Sequence, residues 1–263
     1  MTCRIAIAGA AGRMGRRLLA ASSADPGLRL VGALERPGAP ELGADAGLLA
    51  GEAACGIRLT DRPDRALAEA DVLVEFAGGE AAGDLAAAAV RHGVALVSGS
   101  TGLPVAAEQA LLRAAEAIPL LRAPNFSLGM VVLRALARQA VAALGPAYDL
   151  EVLELHHRGK RDAPSGSALA LARAAAGDDA PLRLAREGLS GGRPPGEVGV
   201  LALRGGDAVG EHTLLLLGEG ERLELTHRAT SREIFVQGAL RAACWLAGRA
   251  PGRYTLEQVL GLG

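Results

Sequence analysis

Aromatic residues are scarce in this chain, which has one Trp, two Tyr and three Phe among 263 residues. Half of the residues are hydrophobic, so the core has to be built from aliphatic side chains. The net charge is also close to zero, since the chain has 28 basic and 29 acidic residues and a formal charge of −1. Proteins that bind nucleic acid or anionic membranes need basic surfaces, and those that bind single strands also need aromatic rings. We therefore expect neither nucleic acid nor a membrane as a partner.

Cysteine is rare and scattered, with only Cys3, Cys55 and Cys244. An odd number of distant cysteines, without a CxxC pair or a Cys/His cluster, predicts neither a disulfide framework nor a metal site. No uninterrupted apolar run reaches the roughly 18 residues typical of a membrane span. The first apolar stretch is broken by Gly9 and Gly12 and lacks the layout of a signal peptide. A cytoplasmic location is the expectation.

Lysine occurs once, as Lys160, although the chain has 28 basic residues. In a composition so biased towards arginine, a retained lysine suggests a position that requires a compact ammonium group. Lys160 closely follows His156 and His157, and a neighbouring imidazole and ammonium can act together in proton transfer. The alternative is a lysine that remains by chance beside a histidine pair that merely ends a strand.

Strands and helices alternate up to Phe126, a pattern that predicts a parallel, doubly wound sheet. The predicted strands of this part are 4–8, 28–34, 72–76, 95–98 and 118–122. Three consecutive strand-like runs, 198–203, 212–217 and 222–227, predict an antiparallel or mixed sheet in the second part. The predicted fold class is therefore α/β, with an N-terminal Rossmann domain and a smaller α+β domain with a mixed sheet. The expected dinucleotide-binding domain is 1–126 plus 232–263, and the expected substrate-binding and oligomerisation domain is 127–231.

A glycine-rich turn, Gly9-x-x-Gly12-x-x-Gly15, follows the first predicted strand and precedes an amphipathic helix. That order is typical of a dinucleotide-binding turn, in which the backbone approaches a pyrophosphate at the positive end of a helix. Glu35 ends the second strand, where a carboxylate can bind the ribose hydroxyls of NAD. Arg36 beside it could bind the 2′-phosphate of NADP, so the pair predicts use of both NADH and NADPH. An ordinary exposed ion pair is the alternative.

Three further loops, 76–79, 99–102 and 123–126, follow the third, fourth and fifth predicted strands. Loops at the carboxyl ends of parallel strands form the crevice in which cofactor and substrate meet. Small residues in these loops would allow a nicotinamide ring to lie against the backbone. Read singly, each loop could be a plain turn.

A second group of polar residues lies after residue 155, where the histidine pair is followed by a predicted helix at 165–176. The first N–H groups of that helix and the Ser167 hydroxyl would bind a carboxylate. Lys160 and His157 would supply positive charge for a second carboxylate or a developing negative centre. His212 and His227 are expected to be structural or interface residues, and the three cysteines inert.

Together, these segments resemble the 4-hydroxy-tetrahydrodipicolinate reductase (dihydrodipicolinate reductase) family of bacterial lysine and diaminopimelate synthesis, over almost the whole chain. The resemblance rests on 7–15, 99–102, 123–127, 154–167, 210–213 and 226–229. It implies an NAD(P)H-dependent reductase of a small dicarboxylate, in which water is lost and a hydride adds to a conjugated ring carbon. It also implies a homotetramer built by the second domain.

The resemblance implies specific roles for the residues singled out above. His156 would be the proton donor and Lys160 its catalytic partner. The residues expected to bind substrate are Thr101, His157, Lys160, Ser165, Gly166 and Ser167. The residues expected to bind the cofactor are Gly9, Ala10, Ala11, Gly12, Arg13, Met14, Glu35, Arg36, Phe76, Gly99, Ser100, Thr101, Ala123, Pro124, Asn125 and Phe126.

The chain departs from the family's pattern at four positions. Gly159 stands where the family usually has a histidine, and Ala77 stands in place of a threonine. Ser100 and Ser167 also replace threonines, but they keep the hydroxyl group.

Two rival interpretations remain open. One is another two-domain Rossmann reductase, such as a semialdehyde dehydrogenase or a homoserine dehydrogenase. A semialdehyde dehydrogenase needs a nucleophilic cysteine at a helix start, and no cysteine here is predicted at such a place. The other is a non-catalytic nucleotide-sensing paralogue, which would not need the pair formed by His156 and Lys160.

Overall fold

The computed structural model describes residues 2–262 and divides the chain into two compact units. The first unit ends at Phe126 and resumes at Glu233, and the second unit is Ser127–Arg232. The helices and strands are, in chain order, β1 (Cys3–Ala8), α1 (Arg13–Ala24), β2 (Leu28–Leu34), α2 (Ala46–Ala50), α3 (Pro63–Leu67), β3 (Val72–Glu75), α4 (Ala81–His92), β4 (Ala95–Ser98), α5 (Val105–Ala114), β5 (Pro119–Arg122), α6 (Leu128–Leu144), β6 (Asp149–His156), α7 (Gly166–Ala176), β7 (Leu182–Arg183), β8 (Val198–Arg204), β9 (Gly210–Gly218), β10 (Glu221–Ala229), α8 (Glu233–Leu246), β11 (Gly252–Tyr254) and α9 (Leu256–Val259).

The first unit is built on a six-stranded parallel sheet in the order β11-β5-β4-β3-β1-β2. Its strands are mostly apolar, with Ile5, Ile7, Leu73 and Leu96 fully buried, as expected of a parallel sheet with helices on its faces. From β2 the chain returns past β1 to β3, so the strand order reverses at β1. A crevice at the carboxyl ends of the strands is expected at this reversal.

The second unit is built on a mixed sheet in the order β10-β9-β6-β8-β7. β6 runs parallel to β8 and antiparallel to β9. Helices α6 and α7 cover one face of this sheet, where Leu133, Val152, Leu171 and Leu214 form part of the core. The predicted α/β class, with a Rossmann sheet and a second mixed sheet, is thereby confirmed.

The other face of the second sheet carries six leucines, which we call the leucine face. They alternate with the core residues along three adjacent strands and are half-buried or exposed: Leu153, Leu155, Leu201, Leu203, Leu215 and Leu217. Leu203 has 57% of its surface exposed. An apolar patch of this kind on an open sheet is typical of a surface that binds another chain.

The 20-residue segment Leu128–Ala147, made of α6 and the turn after it, has a mean hydropathy of 1.4. By length and composition it could cross a membrane. In the structure, α6 buries Met130, Leu133 and Ala137 in the core of the second unit.

Candidate active site

The turn between β1 and α1 has the geometry of a phosphate-binding turn. Gly9 has φ = 72°, a left-handed conformation that glycine adopts without strain. A Cβ at Gly15 would lie 2.1 Å from the carbonyl oxygen of Gly9, so only glycine allows α1 to pack this closely on the turn. Gly12 is the N-cap of α1, and the first turn of the helix contains no acidic residue. The positive end of α1 is therefore suited to an anion.

A cavity of about 500 Å³ lies where the strand order reverses. It is lined by five of the predicted cofactor residues, namely Gly9, Gly12, Glu35, Arg36 and Phe76, and also by Asp61 and Asp84, which the sequence analysis did not identify. The Glu35 carboxylate accepts hydrogen bonds from the N–H groups of Ala11 (2.9 Å) and Arg36 (3.0 Å). Two backbone groups thus hold this carboxylate beside the glycine turn.

The loops after β3, β4 and β5 meet at a second point of the first unit. The rings of Phe76 and Phe126 contact each other, with centroids 5.8 Å apart. A Cβ at Gly99 would lie 2.1 Å from the Phe76 ring, so this glycine leaves room for the aromatic side chain. The three loops expected to border the nicotinamide therefore do lie together.

Glu75, at the end of β3, is a fully buried carboxylate that the sequence analysis missed. It accepts hydrogen bonds from the hydroxyl of Ser98, from the hydroxyl of Ser100 (2.7 Å) and from the N–H of Ala77 (3.1 Å). The Ser100 hydroxyl in turn accepts the N–H of Gly78 at 2.8 Å. Glu75 thus holds the loops after β3 and β4 together. Its signal in the sequence was a lone carboxylate within an apolar strand.

The other predicted cofactor residues lie in the same turn and loops. Ala10 is buried, and Ala11, Arg13 and Met14 continue the glycine turn into α1. Ala123 is buried, Asn125 is half-buried, and Thr101 and Pro124 are exposed. No group of three or more metal-ligating side chains is found within residues 2–262.

In the second unit, a buried carboxylate lies at the centre of the predicted catalytic residues. Glu154 and His156 project from the helix-covered side of β6, and His156 Nδ1 hydrogen-bonds to Glu154. Arg204 binds the same carboxylate with both terminal nitrogens, each at 2.9 Å. The N–H of Ser165, just before α7, donates to Glu154 at 3.0 Å. Glu154 therefore joins β6, β8 and the start of α7.

Burial and the neighbouring charges set the protonation states of Glu154 and His156. Burial raises the pKa of Glu154, but Arg204, His156 and the Ser165 N–H outweigh it and leave the pKa below its usual range. Burial lowers the pKa of His156, Glu154 opposes this shift, and Lys160 and Arg204 lower the pKa further. Glu154 is therefore ionised and His156 mostly neutral near pH 7.

His212 belongs to the same cluster, although the sequence analysis expected a structural role for it. β9 places it opposite Glu154, and its ring meets the edge of His156 with centroids 5.2 Å apart. Its Nε2 lies 3.2 Å from the Ser165 hydroxyl. Burial lowers the pKa of His212 to about 4, so it is neutral near pH 7. His227, on β10, is paired with His212 in the register of β9 and β10, and its Nε2 lies 3.2 Å from the Ser127 hydroxyl at the start of α6.

The start of α7 lies beside this cluster. Ser165 is the N-cap, and its hydroxyl accepts the N–H of Ala168 at 3.1 Å. A Cβ at Gly166 would meet no atom within 4 Å, so the helix start is open at this residue. Lys160 Nζ lies 2.8 Å from Asp162 Oδ1, and His157 is half-buried.

Five of the six predicted substrate residues therefore lie in one loop and helix start: His157, Lys160, Ser165, Gly166 and Ser167. Thr101 lies in the first unit, in the loop after β4.

Comparisons with known proteins agree with this geometry. The family model described as Dihydrodipicolinate reductase, N-terminus, matches residues 3–126, and the model for the C-terminus of the same family matches residues 129–260. A 4-hydroxy-tetrahydrodipicolinate reductase of Anaeromyxobacter sp. (strain Fw109-5) is 51% identical, with 98% of this chain and 97% of the relative covered. Another, of Thiobacillus denitrificans (strain ATCC 25259 / T1), is 49% identical with both chains fully covered.

Among solved structures, a dipicolinate-bound dihydrodipicolinate reductase from Paenisporosarcina sp. TG-14 has the same fold. The TM-score is 0.77 at 23% identity, with 97% of this chain and 98% of that chain covered. The resemblance predicted from the motifs is confirmed, and the chain belongs to the dihydrodipicolinate reductase family.

Proposed function

We propose that this chain reduces 4-hydroxy-tetrahydrodipicolinate to tetrahydrodipicolinate, with loss of water, using NADH or NADPH. The observation that carries this proposal is the cluster of Glu154, His156 and Lys160 beside the start of α7. It combines a proton-exchanging imidazole with groups that bind carboxylates. The names of the similar proteins support this substrate. We further propose a cytoplasmic role in diaminopimelate and lysine synthesis, as the family resemblance implies.

The first unit is suited to binding the cofactor, which supplies the hydride when it is bound. The glycine turn and the start of α1 fit the pyrophosphate, because backbone N–H groups and the helix dipole favour an anion there. Glu35 is positioned for the ribose hydroxyls and Arg36 for a 2′-phosphate. Since both residues line one cavity, the site supports binding of either NADH or NADPH.

The second unit is suited to binding the dicarboxylate. The start of α7 can bind one carboxylate group, because it is open at Gly166 and the positive end of a helix favours an anion. Lys160 and His157 supply donors for the other. The ion pair of Lys160 with Asp162 does not prevent this role, because 62% of the Asp162 side chain is exposed and the pair can exchange.

His156 exchanges the proton that completes the reduction. A dicarboxylate bound beside it adds negative charge, which raises the pKa of the imidazole from its lowered value and favours the imidazolium form. Substrate binding thus favours protonation of His156, so that the donor carries its proton when the substrate is bound. Lys160 contributes a second positive charge that stabilises the negative charge developing on the substrate.

The leucine face supports assembly of several copies through the second unit. Six leucines on one sheet face form a surface that a second apolar sheet can cover. We propose the homotetramer that the family resemblance implies.

The direct test is oxidation of NADH and of NADPH at 340 nm, with substrate generated from pyruvate and aspartate semialdehyde by the preceding synthase. Turnover with both cofactors is expected. Cofactor binding without turnover would contradict the proposal and favour the nucleotide-sensing paralogue.

A further inference from the structure

We propose that Glu154 is the positioning residue for His156, which fixes the hydrogen on Nδ1 and leaves Nε2 to exchange a proton with the substrate. The proposal rests on the proposed function, because it assumes that His156 is the proton donor. It adds a role for a carboxylate that does not itself contact the reacting atoms.

The tautomer follows from the contact between the two side chains. An ionised carboxylate can only accept hydrogen bonds, so Nδ1 of His156 must carry a hydrogen. In the neutral ring, Nε2 is then the nitrogen with the free lone pair. A Cβ at Gly210 would lie 2.9 Å from this Nε2, so the glycine keeps the space beside the nitrogen open.

Three donors hold Glu154 itself in place. Arg204 binds it through two parallel hydrogen bonds, and the N–H of Ser165 binds Oε1. A bidentate arginine fixes the plane of a carboxylate as well as its position. Since Ser165 is also the N-cap of α7, Glu154 sets the distance between the proton donor and the helix start. Donor and carboxylate-binding site are therefore placed by one buried group.

Glu154 also favours the charged form of His156. In the part of the chain that the structure describes, four ionisable groups face the imidazole: Glu154 from β6, Arg204 from β8, His212 from β9 and Lys160 from the loop after β6. His212 is neutral near pH 7, and Arg204 and Lys160 oppose a positive charge on the ring. Among these four groups, only Glu154 stabilises the imidazolium. Its loss should therefore reduce the protonated fraction of the donor.

The experiment compares Glu154→Gln with wild type by ¹⁵N NMR of histidine-labelled protein, without substrate. In wild type we expect the Nδ1–H tautomer at His156. In Glu154→Gln we expect a mixture of tautomers and a lower pKa. Turnover should fall by about 10- to 100-fold, mostly in kcat, the range found for groups that orient a metal-bound imidazole through its other nitrogen. The loss of activity at high pH should also begin at a lower pH, because the acid form disappears earlier.

Glu151→Gln is the matched control. Glu151 lies on the same strand, is also buried, and is paired with Arg186 at 2.8 Å and with Arg193 at 3.3 Å. Because it occupies the opposite side of β6, it does not face His156. Its removal costs a buried ion pair but should leave the His156 signals and the pH profile unchanged.

A second variant, Glu154→Asp, keeps the proposal testable if Glu154→Gln does not fold. Glu154→Asp keeps the negative charge but shortens the side chain, so the His156 signals should move and turnover should lie between those of wild type and Glu154→Gln. Unchanged His156 signals in a folded Glu154 variant would overturn the positioning proposal, even where turnover falls. Failure of the wild type to turn over would instead refute the proposed function, and the NMR comparison would still test the positioning of His156.

Discussion

Gly210 leaves just enough room for the imidazole of His156, so Gly210→Ala tests the position of the donor. The added Cβ would lie 2.9 Å from Nε2 and 3.3 Å from Cδ2. Ordinary contacts between such atoms are about 3.5–4.0 Å, so the ring has to move by roughly 0.5–1 Å. This movement would change the position of Nδ1 relative to Glu154, and the added methyl group would cover Nε2.

A displacement of about 1 Å can lower turnover by roughly 100-fold when the displaced group takes part in the chemistry. We therefore expect kcat of Gly210→Ala to fall by about 10- to 100-fold, with little change in the affinity for NADPH. Steady-state oxidation at 340 nm and a cofactor titration by fluorescence measure these two quantities. The matched control is Gly205→Ala, since a Cβ at Gly205 would meet no atom within 4 Å. Equal kcat values for Gly210→Ala and Gly205→Ala would refute the inferred position of the His156 ring beside Gly210.

Three other predictions concern the remaining parts of the molecule. Arg36→Ala should raise KM for NADPH by about tenfold and leave KM for NADH nearly unchanged, because the guanidinium would bind only the 2′-phosphate. An equal rise in KM for both cofactors would contradict this role. Leu203→Glu places a charge on the leucine face and should shift sedimentation towards smaller species; an unchanged assembly would exclude this face as an interface. His212 has its folded pKa lowered to about 4, below the ordinary value of 6.5, so its neutral form stabilises the fold fully above pH 6.5 and this contribution is lost as pH falls towards 4. Between pH 7 and 4.5, urea unfolding of wild type should lose about 2–3 kcal/mol more than that of His212→Gln; parallel losses would show that His212 does not titrate in this way.

The long elements could be predicted from the sequence because each has a strong local pattern. The strand at 28–34 was predicted with the bounds that the structure has, and the helix predicted at 165–176 begins one residue later, at Gly166. Four short elements were missed, namely α2, β7, β11 and α9. β11 has three residues and exists by pairing with β5, which lies far away in the chain. Local patterns cannot predict such an element.

Local sequence patterns also identify only part of the candidate site. His156, Lys160 and Ser165 are close in sequence, so a local motif could identify them. Arg204 and His212 reach the cluster only through the register of β8 and β9 with β6. Glu154 was within reach of sequence reasoning, because residues two apart in a strand share one face.

The three cysteines were expected to be inert, and the structure shows that they differ in exposure. Cys244 is exposed, and a hydrogen bond from Cys3 lowers the pKa of its thiol to about 7. Contact between the two ends of the chain could not be seen in the sequence.

The central claim is that the second unit performs the proton transfer while the first unit binds the cofactor. Its most direct test measures turnover and NADPH affinity on the same preparations of wild type, His156→Gln and Lys160→Gln. The account predicts that turnover falls at least about 100-fold in both variants while NADPH affinity stays within about twofold of wild type. Turnover close to that of wild type in either folded variant would contradict the account.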